Sequence, residues 1–290
     1  MRSSLALPST STVPNHLAVI PCRWGSTRFP GKPLADLGGK PLLWHVHQRC
    51  LEAKLIIGAI VATDDQRIAK ACEELDIPFA LTGPQATGTD RVAECARQLA
   101  ADGYINVQGD EPFMDPAAID TVSAALAQLP TGIAAVNACA PLTDPVAVTD
   151  HNVVKVVQGS DSRALMFSRQ PIPYPRGDHP GYLRQLGLYG MTAATLRTFA
   201  TLHSGPLELA ESVEMLRLLE HGHPVHLVMT EDSGIAVDTP EDLRRAERLL
   251  PSTTSRRHTT PVAECYEPGE TSTSPTLMSV LAGSGGRTPT

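Results

Sequence analysis

A short segment after the first apolar run carries the strongest chemical signal in the chain. Residues 21–34 read PCRWGSTRFPGKPL and combine three cations with two glycines. Glycines let backbone N–H groups approach phosphate oxygens closely, while arginine and lysine neutralise the charge of a leaving pyrophosphate. The segment lacks the GxxxxGK[ST] pattern, so it is not a P-loop. It predicts a triphosphate site at Arg23, Ser26, Arg28 and Lys32, with an ordinary solvated basic loop as the alternative.

Two distant aspartates follow apolar runs that read as strands. Asp110 lies in NVQGDEP and Asp238 lies in GIAVDTPED, just before a helical pattern. Open α/β sheets bind ligands beyond the carboxyl ends of their strands, and two carboxylates there can hold Mg²⁺ against triphosphate oxygens. Asp110 and Asp238 are therefore candidate metal ligands. The alternatives are that Asp238 only caps its helix, and that Glu111 is solvated rather than orienting the metal site.

These residues must be positioned by an α/β framework. Apolar runs (HLAVIP, LIIGAIVAT, IPFALT, YINVQG) alternate with amphipathic segments (residues 41–53, DQRIAKACEEL, DRVAECARQLA, PAAIDTVSAALAQL). This alternation predicts a mainly parallel sheet with helices on both faces. Residues 152–189 contain β-branched runs and four prolines between Pro171 and Pro180, which predicts an inserted antiparallel or irregular segment. A helix over LELAESVEMLRLLEHG, a strand over PVHLVMT and a closing helix over TPEDLRRAERLL complete the expected order.

Bulk properties limit the class of protein. The two ends, residues 1–15 and 251–290, are rich in Ser, Thr and Pro and predict flexible segments around one domain at 16–250. The net charge of −7 leaves no basic field for a nucleic-acid partner, and no stretch is apolar enough to enter a membrane. Six cysteines without a CxxC pair indicate reduced thiols and a cytoplasmic protein.

The basic segment resembles the signature loop of the CMP-Kdo synthetases, the 3-deoxy-manno-octulosonate cytidylyltransferases. The resemblance continues, in order, through VATDD, TGTDR, NVQGDEP, FSRQPIP, LGLYG and GIAVDTPEDL, and it covers about residues 17–250. It implies a single domain with the Rossmann-like nucleotidyltransferase fold, the use of CTP, Mg²⁺ as cofactor and a homodimer. The acceptor oxygen would attack the α-phosphorus in line, with charge stabilised by Mg²⁺, Lys32 and Arg23, so no protein nucleophile is needed.

The same resemblance assigns a set of nucleotide contacts. Sequence alone favours an N-cap role for Thr89 and Asp90 at the start of DRVAECARQLA, and both roles are compatible. The implied contacts with the nucleotide are Ala62, Thr63, Asp64, Thr87, Gly88, Thr89, Asp90 and Gln108.

The acceptor half departs from the family pattern. The types of Arg169, Tyr189, Glu208, Glu211 and Glu214 are kept, but Gln185 and Met215 stand where the family has histidine and glutamine. Losing two polar partners disfavours a polyhydroxylated acceptor. The resemblance extends to superfamily members that cytidylylate phosphonates in natural-product pathways, and it therefore implies a smaller phosphonate, such as phosphonoformate, in phosphonate antibiotic biosynthesis. Arginines including Arg169, Arg176 and Arg184 would suit it. The alternatives are 3-deoxy-manno-octulosonate itself, with both changes neutral, or a CTP-binding regulator without turnover.

The sequence leaves two further possibilities, a different nucleotide substrate and a histidine metal site. A sugar-1-phosphate uridylyl- or guanylyltransferase would prefer UTP or GTP. A metal cluster at His221, His223 and His226 is disfavoured, because a strand sends alternate side chains to opposite faces.

Overall fold

The computed structural model describes residues 13–26, 28–178, 180–232 and 234–250. The strands, in chain order, are β1 (His16–Cys22), β2 (Asp36–Leu37), β3 (Lys40–Pro41), β4 (Gly58–Thr63), β5 (Phe79–Leu81), β6 (Gly103–Val107), β7 (Ala135–Leu142), β8 (Lys155–Gln158), β9 (Ala164–Ser168), β10 (Tyr182–Thr192) and β11 (Val225–Met229). The helices are α1 (Leu42–Leu51), α2 (Gln66–Glu74), α3 (Gly88–Gln98), α4 (Pro116–Ala127), α5 (Pro145–Thr149), α6 (Ala193–Phe199), α7 (Pro206–Glu211), α8 (Met215–Glu220) and α9 (Pro240–Glu247), with a 3-10 helix at Lys32–Leu34. The predicted flexible ends lie outside the described residues, apart from residues 13–15.

One large sheet organises the molecule. Its strand order is β11-β7-β10-β6-β1-β4-β5. The pairs β1/β4, β1/β6, β4/β5 and β7/β11 are parallel, whereas β10 runs antiparallel to both β6 and β7. The β8–β9 hairpin joins the sheet through β10. The predicted mainly parallel sheet with an antiparallel insertion between residues 152 and 189 is confirmed.

Helices cover both faces of this sheet. Along β1 the side chains of Ala18 and Ile20 enter the cluster formed with α1, α2 and α4, while Val19 enters the cluster formed with α3, α6 and α8. Because alternate residues of a strand point to opposite faces, a central strand covered on both sides is apolar throughout. This explains the continuous apolar run that predicted β1.

Side-chain caps define where several helices begin. Thr87 caps α3, because its hydroxyl oxygen accepts from the backbone N–H of Asp90 at 3.1 Å. The predicted cap at Thr89 and Asp90 is therefore wrong by two residues, since the helix already starts at Gly88. Thr239 caps α9 through a capping box with Asp242, as TPED predicts. The alternative in which Asp238 caps that helix is consequently wrong.

The predicted single helix over LELAESVEMLRLLEHG is wrong. The chain forms two short helices, α7 and α8, separated by Ser212 in the left-handed conformation with φ of 52°. The interruption has a tertiary cause. The Glu220 carboxylate accepts from the backbone N–H groups of Leu207 and Glu208 at 2.8 and 3.0 Å, so α8 folds back to satisfy the start of α7.

Candidate active site

Lys32 joins the two predicted metal-binding aspartates. Its Nζ donates to Asp110 Oδ2 at 2.9 Å and to Asp238 Oδ1 at 3.0 Å, across sequence separations of 78 and 206 residues. Arg28 Nη2 lies 3.1 Å from the other oxygen of Asp238. The basic segment and the two aspartates, predicted separately, thus converge on one point.

Three local structures produce this convergence. Lys32 opens the 3-10 helix directly after Gly31, whose φ of 72° suits glycine. Asp110 follows the buried strand β6, and its carbonyl accepts from the backbone N–H of Val237 at 2.8 Å. That bond fixes the segment before α9 beside the end of β6. Asp238 is thereby held opposite Asp110, at the carboxyl end of the central parallel strands where α/β folds place ligands.

Two cavities meet at these carboxylates. The first has a volume of about 590 Å³ and is lined by Arg23, Ser26, Arg28, Lys32, Thr87 and Gly88, among others. The second has a volume of about 430 Å³ and is lined by residues that include Glu111, Arg184, Gln185 and Tyr189. The residues common to both linings are Gln108, Asp110, Arg169, Ser212, Glu214 and Asp238. A molecule in either cavity would therefore face the same pair of aspartates.

Comparison with known proteins identifies the family. The sequence profile described as cytidylyltransferase matches residues 17–231. The 3-deoxy-manno-octulosonate cytidylyltransferase of Anaeromyxobacter sp. (strain Fw109-5) is 47% identical over 236 residues, covering 80% of this chain and 95% of that protein. The chain belongs to the cytidylyltransferase family. It is thus a CTP-dependent nucleotidyltransferase.

Other relatives of this cytidylyltransferase vary in acceptor and in similarity. The 8-amino-3,8-dideoxy-manno-octulosonate cytidylyltransferase of Shewanella woodyi (strain ATCC 51908 / MS32) is 40% identical over 81% of this chain and 98% of that protein. The solved structure of a CMP:2-keto-3-deoxy-manno-octonic acid synthetase complexed with CTP matches with a TM-score of 0.76 at 35% identity, covering 81% and 98% of the two chains. A 4-diphosphocytidyl-2C-methyl-D-erythritol synthase from Anaerococcus prevotii, at 15% identity and a TM-score of 0.55, shares the fold. The predicted Rossmann-like nucleotidyltransferase fold is confirmed.

Electrostatics in the cytidylyltransferase follow from this geometry. Burial acts to lower the pKa of Lys32, but the carboxylates of Asp110 and Asp238 outweigh it and raise that pKa. Burial acts to raise the pKa of Asp238, but Lys32 and Arg28 outweigh it and hold that pKa below its usual value. Lys32 and Asp238 are therefore both charged at neutral pH. Glu111 differs, because burial and the neighbouring Asp110 raise its pKa to about 7.

The carboxylates fit a magnesium ion shared with a nucleotide. No group of three or more His, Cys, Asp or Glu side chains converges on a metal position within the described part of the chain. Mg²⁺, however, is commonly held by one or two carboxylates together with substrate phosphates and water. Asp110 and Asp238 supply that oxygen set, with side chains 27% and 30% exposed toward the cavities. Glu111 is only 5% exposed, so the alternative of a solvated carboxylate is wrong.

The end of β4 reaches the first cavity indirectly. Ala62 and Thr63 are completely buried, and neither they nor Asp64 line the cavity. Instead, Asp64 Oδ1 pairs with Arg91 Nη2 at 3.1 Å, and Arg91, which is 3% exposed, lines the cavity. Sequence reasoning missed Arg91, although it completes the quoted TGTDR motif.

Two residues of the TGTD turn line the first cavity, and the other two support it from outside the lining. Thr87 and Gly88 line the first cavity, whereas Thr89 and Asp90 do not. The Thr89 hydroxyl is fully buried against the carboxylate of Glu214, and Asp90 Oδ1 pairs with Arg217 Nη1 at 2.7 Å. Direct contact with a nucleotide is therefore available to only two of the four predicted residues.

The predicted acceptor residues also separate into lining and supporting groups. Arg169 and Glu214 line both cavities, and Gln185 and Tyr189 line the second. Glu211 lines neither. Its carboxylate instead accepts from Ser168 Oγ and from the backbone N–H of Arg169, at 2.6 and 2.8 Å.

Met215, predicted to contact the acceptor, lies outside both cavities. Its side chain has no exposed surface, packs in the core with α3 and α6, and lines neither cavity. The predicted contact between Met215 and the acceptor therefore has no support in the geometry. Position 215 consequently says little about how polar the acceptor is.

Proposed function

We propose that this cytidylyltransferase transfers CMP from CTP to a 2-keto-3-deoxy sugar acid, first of all 3-deoxy-manno-octulosonate, with release of pyrophosphate. The observation that supports it is the cluster of Lys32, Asp110 and Asp238 at the junction of the two cavities. A nucleotide on one side and an acceptor on the other would bring the reacting atoms to this junction.

The first cavity is the proposed CTP site. The triphosphate would lie along Arg23, Ser26, Arg28 and Lys32, whose cations offset the charge that builds up on the departing pyrophosphate. Bound Mg²⁺, held by Asp110 and Asp238, would polarise the phosphate oxygens. The acceptor oxygen attacks the α-phosphorus as its hydroxyl proton passes to water, a P–O bond to the acceptor forms, and the bond to pyrophosphate breaks. The protein contributes position and charge.

The choice of a sugar acid rests on two arguments. Several relatives with 40 to 47% identity are named for octulosonates. In addition, only one of the two substitutions that favoured a phosphonate remains relevant, because Met215 is in the core. A cavity of about 430 Å³ is within the range of small-molecule sites and can take an octulosonate.

A phosphonate of the phosphonoformate type is the second candidate. It is favoured by Gln185, whose side chain replaces the family histidine in the second cavity, and by Arg169 and Arg184 in the same lining. Two guanidinium groups suit a phosphonate dianion with an adjacent carboxylate. This candidate predicts a phosphate–phosphonate anhydride as product instead of a sugar phosphodiester.

The test is an acceptor panel assayed with CTP and Mg²⁺. Pyrophosphate release would be measured with 3-deoxy-manno-octulosonate, its 8-amino analogue, sialic acid and phosphonoformate, and the product bond would be read by phosphorus NMR. We expect the highest kcat/KM with an octulosonate. A tenfold preference for phosphonoformate would instead establish the second candidate. If no acceptor gave pyrophosphate release although CTP still bound, a regulatory protein would be favoured. A preference for UTP or GTP would indicate a different nucleotidyltransferase.

Mg²⁺ dependence, homodimer formation and a cytoplasmic location are further parts of the proposal. EDTA should abolish turnover and added Mg²⁺ should restore it, while light scattering should give twice the mass of the 30.9 kDa chain. Cys22, Cys50, Cys72, Cys95 and Cys139 are buried free thiols, which supports a reducing compartment. None of the described helices combines the length and apolar character needed to cross a bilayer.

A further inference from the structure

The backbone and the side chain of Trp24 both contact the segment that carries Lys32. The Trp24 carbonyl accepts from the backbone N–H groups of Ser26 and Gly31, at 3.1 and 3.0 Å. The Trp24 ring covers Gly31 so closely that a Cβ at position 31 would lie 3.0 Å from two ring carbons. Because Lys32 is the next residue, its position depends on where this ring sits.

The ring is in turn held from the end of a different strand. The Arg67 guanidinium lies 3.5 Å from the centre of the Trp24 ring. Arg67 is oriented by Asp65, with Nε–Oδ1 and Nη2–Oδ2 distances of 2.9 and 2.6 Å. Asp65 also caps α2, and its backbone N–H donates to Thr63 Oγ1 at 3.2 Å. The contact of Arg67 with the Trp24 ring, called the stack below, is thus anchored through Asp65 to Thr63 at the end of β4.

We propose that Trp24 and Arg67 are positioning residues that hold the basic segment in the shape required by the triphosphate of CTP. Neither needs to touch the nucleotide, since Trp24 and Arg67 are absent from the lining of the first cavity. Asp65 orients Arg67, and the Arg67 guanidinium packs on the Trp24 ring. The ring in turn packs on Gly31, the residue before Lys32. The adjacent Asp64 acts in parallel on Arg91, so neighbouring aspartates after β4 support two different parts of the nucleotide cavity.

The stack should affect the part of the proposed site that binds the triphosphate and leave the part that binds the nucleoside unchanged. Displacing the Trp24 ring alters the backbone at Gly31 and the Lys32 ammonium, which serve the phosphates in the proposed function on which this inference rests. Arg91, Thr87 and Gly88 lie on other elements and keep their positions. A defect in the stack should therefore weaken CTP and leave CMP, which lacks the two outer phosphates, almost unaffected.

The experiment compares Trp24→Phe, Trp24→Leu and Arg67→Met with Lys70→Met. Lys70 is an exposed cation on the same helix, paired only with Glu74 at 3.7 Å among the contacts of the described residues, so it is the matched control. The measurements are kcat/KM for CTP, the inhibition constant of CMP and the melting temperature.

We expect Arg67→Met to lower kcat/KM for CTP about threefold, as for loss of one exposed cation–π contact. Trp24→Leu should lower it about tenfold, since the ring contact with Gly31 is also lost. Trp24→Phe should retain most of the wild-type value, because a flat ring remains, and Lys70→Met should match wild type. The inhibition constant of CMP should stay within twofold in every variant.

Two results would overturn the inference: unchanged kcat/KM for CTP in both Trp24→Leu and Arg67→Met, or a loss of CMP affinity parallel to that of CTP. Lys32→Met distinguishes this failure from failure of the proposed CTP site. If Lys32→Met lowers kcat/KM for CTP while the stack variants do not, only the stack proposal fails. If Lys32→Met also has no effect, the triphosphate does not lie on the basic segment and the proposed function fails.

Discussion

A single lysine bridges the two aspartates at the centre of this active site. The Lys32 ammonium contacts both aspartates, and Arg28 adds a second positive charge beside Asp238, so two cations balance two carboxylates. Magnesium would pair with the two aspartates, and the triphosphate, whose negative charge exceeds the positive charge of the metal, would pair with Lys32 and the arginines. Lys32 can then turn from the carboxylates to the phosphates without leaving a buried charge unpaired.

Replacing either aspartate should stop turnover while preserving the fold. Asp110→Asn or Asp238→Asn substitutes a neutral amide for a ligand of a hard cation, so we expect kcat to fall at least about a hundredfold. The melting temperature should change little, because both side chains are partly exposed. Steady-state kinetics with a Mg²⁺ titration measures the effect, and Asp36→Asn, at an exposed position on β2, is the control. Near-normal kcat in either active-site variant would exclude its metal role.

Glu111 makes stability depend on pH near neutrality. Its pKa rises from the usual 4.5 to about 7 in the folded protein, chiefly through burial and then through Asp110. Between these values the folded state binds a proton that the unfolded state releases, so the free energy of unfolding decreases as pH rises to about 7. Glu111→Gln cannot ionise and should be more stable than wild type by about 1–3 kcal/mol at pH 8. At pH 4.5 the two proteins should be similar.

Urea denaturation in EDTA, at both pH values, measures this difference. A difference between Glu111→Gln and wild type that is equal at pH 4.5 and pH 8 would show that folding does not raise the pKa of Glu111. Arg184 and the Gly187 N–H, which both favour the charged form of Glu111, would then offset the effect of burial.

At the scale of single residues, sequence reasoning succeeded where one motif carries its own chemistry. Lys32, Asp110 and Asp238 each stand in a short pattern, and the sheet brings such patterns to one edge. It did not succeed for residues whose role depends on a distant partner. Arg91 and Met215 are examples, because burial and ion pairing are set by tertiary packing that spacing alone does not encode.

At the scale of elements, the second cavity, the proposed acceptor site, depends on an irregularity in β10. The pairing of β10 with β7 shifts register between Gln185 and Tyr189. Asn137 on β7 fills this gap, and its Nδ2 donates toward the carbonyls of Ala138, Leu186 and Leu188 at 2.9, 3.1 and 3.2 Å. Its Oδ1 accepts from Gln185 Nε2 at 2.7 Å. The Gln185 amide is thereby oriented toward β7, which leaves its oxygen as the acceptor available to the cavity.

Asn137→Ala should therefore affect both stability and acceptor binding. Buried carbonyls of the bulge lose a donor, which should lower the free energy of unfolding by about 2–3 kcal/mol. Gln185 loses its anchor, so KM for the acceptor should rise severalfold while KM for CTP changes little. Asn106→Ala is the matched variant, because Asn106 on β6 is equally buried but supports Thr89 on the nucleotide side at 3.1 Å. It should raise KM for CTP instead, and identical kinetic changes in the two variants would contradict this division.

The elements themselves were predicted where a local pattern was strong. Continuous apolar runs gave β1, β4 and β6, and polar caps gave the start of α9. The strand β7 was not predicted, because AVNACAPL consists largely of small residues that mark neither a strand nor a helix, and its eight-residue length is set by pairing with β10 and β11. The division of α7 from α8 depends on Glu220, a contact that no periodicity reveals.

At the scale of the whole molecule, the sheet brings the two proposed binding sites together at one pair of aspartates. The cavities lie on either side of Asp110 and Asp238 and share six lining residues. Strands β1, β4 and β6 support the proposed nucleotide side, whereas β7 and β10 support the other. The strand β10 of the inserted segment lies between β6 and β7 and runs antiparallel to both, so the inserted segment forms part of the same sheet. Acceptor specificity can therefore change in β10 while the phosphate site is retained.

This geometry predicts a pattern of mutual displacement at equilibrium. CMP occupies only the nucleotide side, so it should displace CTP and leave acceptor affinity unchanged. The CMP ester of the acceptor crosses the shared residues, so it should displace both substrates, as calorimetric competition would measure. Pyrophosphate, which binds the basic segment alone, should compete with CTP and coexist with the acceptor. If the CMP ester displaced CTP but left acceptor binding intact, the second cavity would not be the acceptor site, and the junction at Asp110 and Asp238 would have to serve an acceptor held within the first cavity itself.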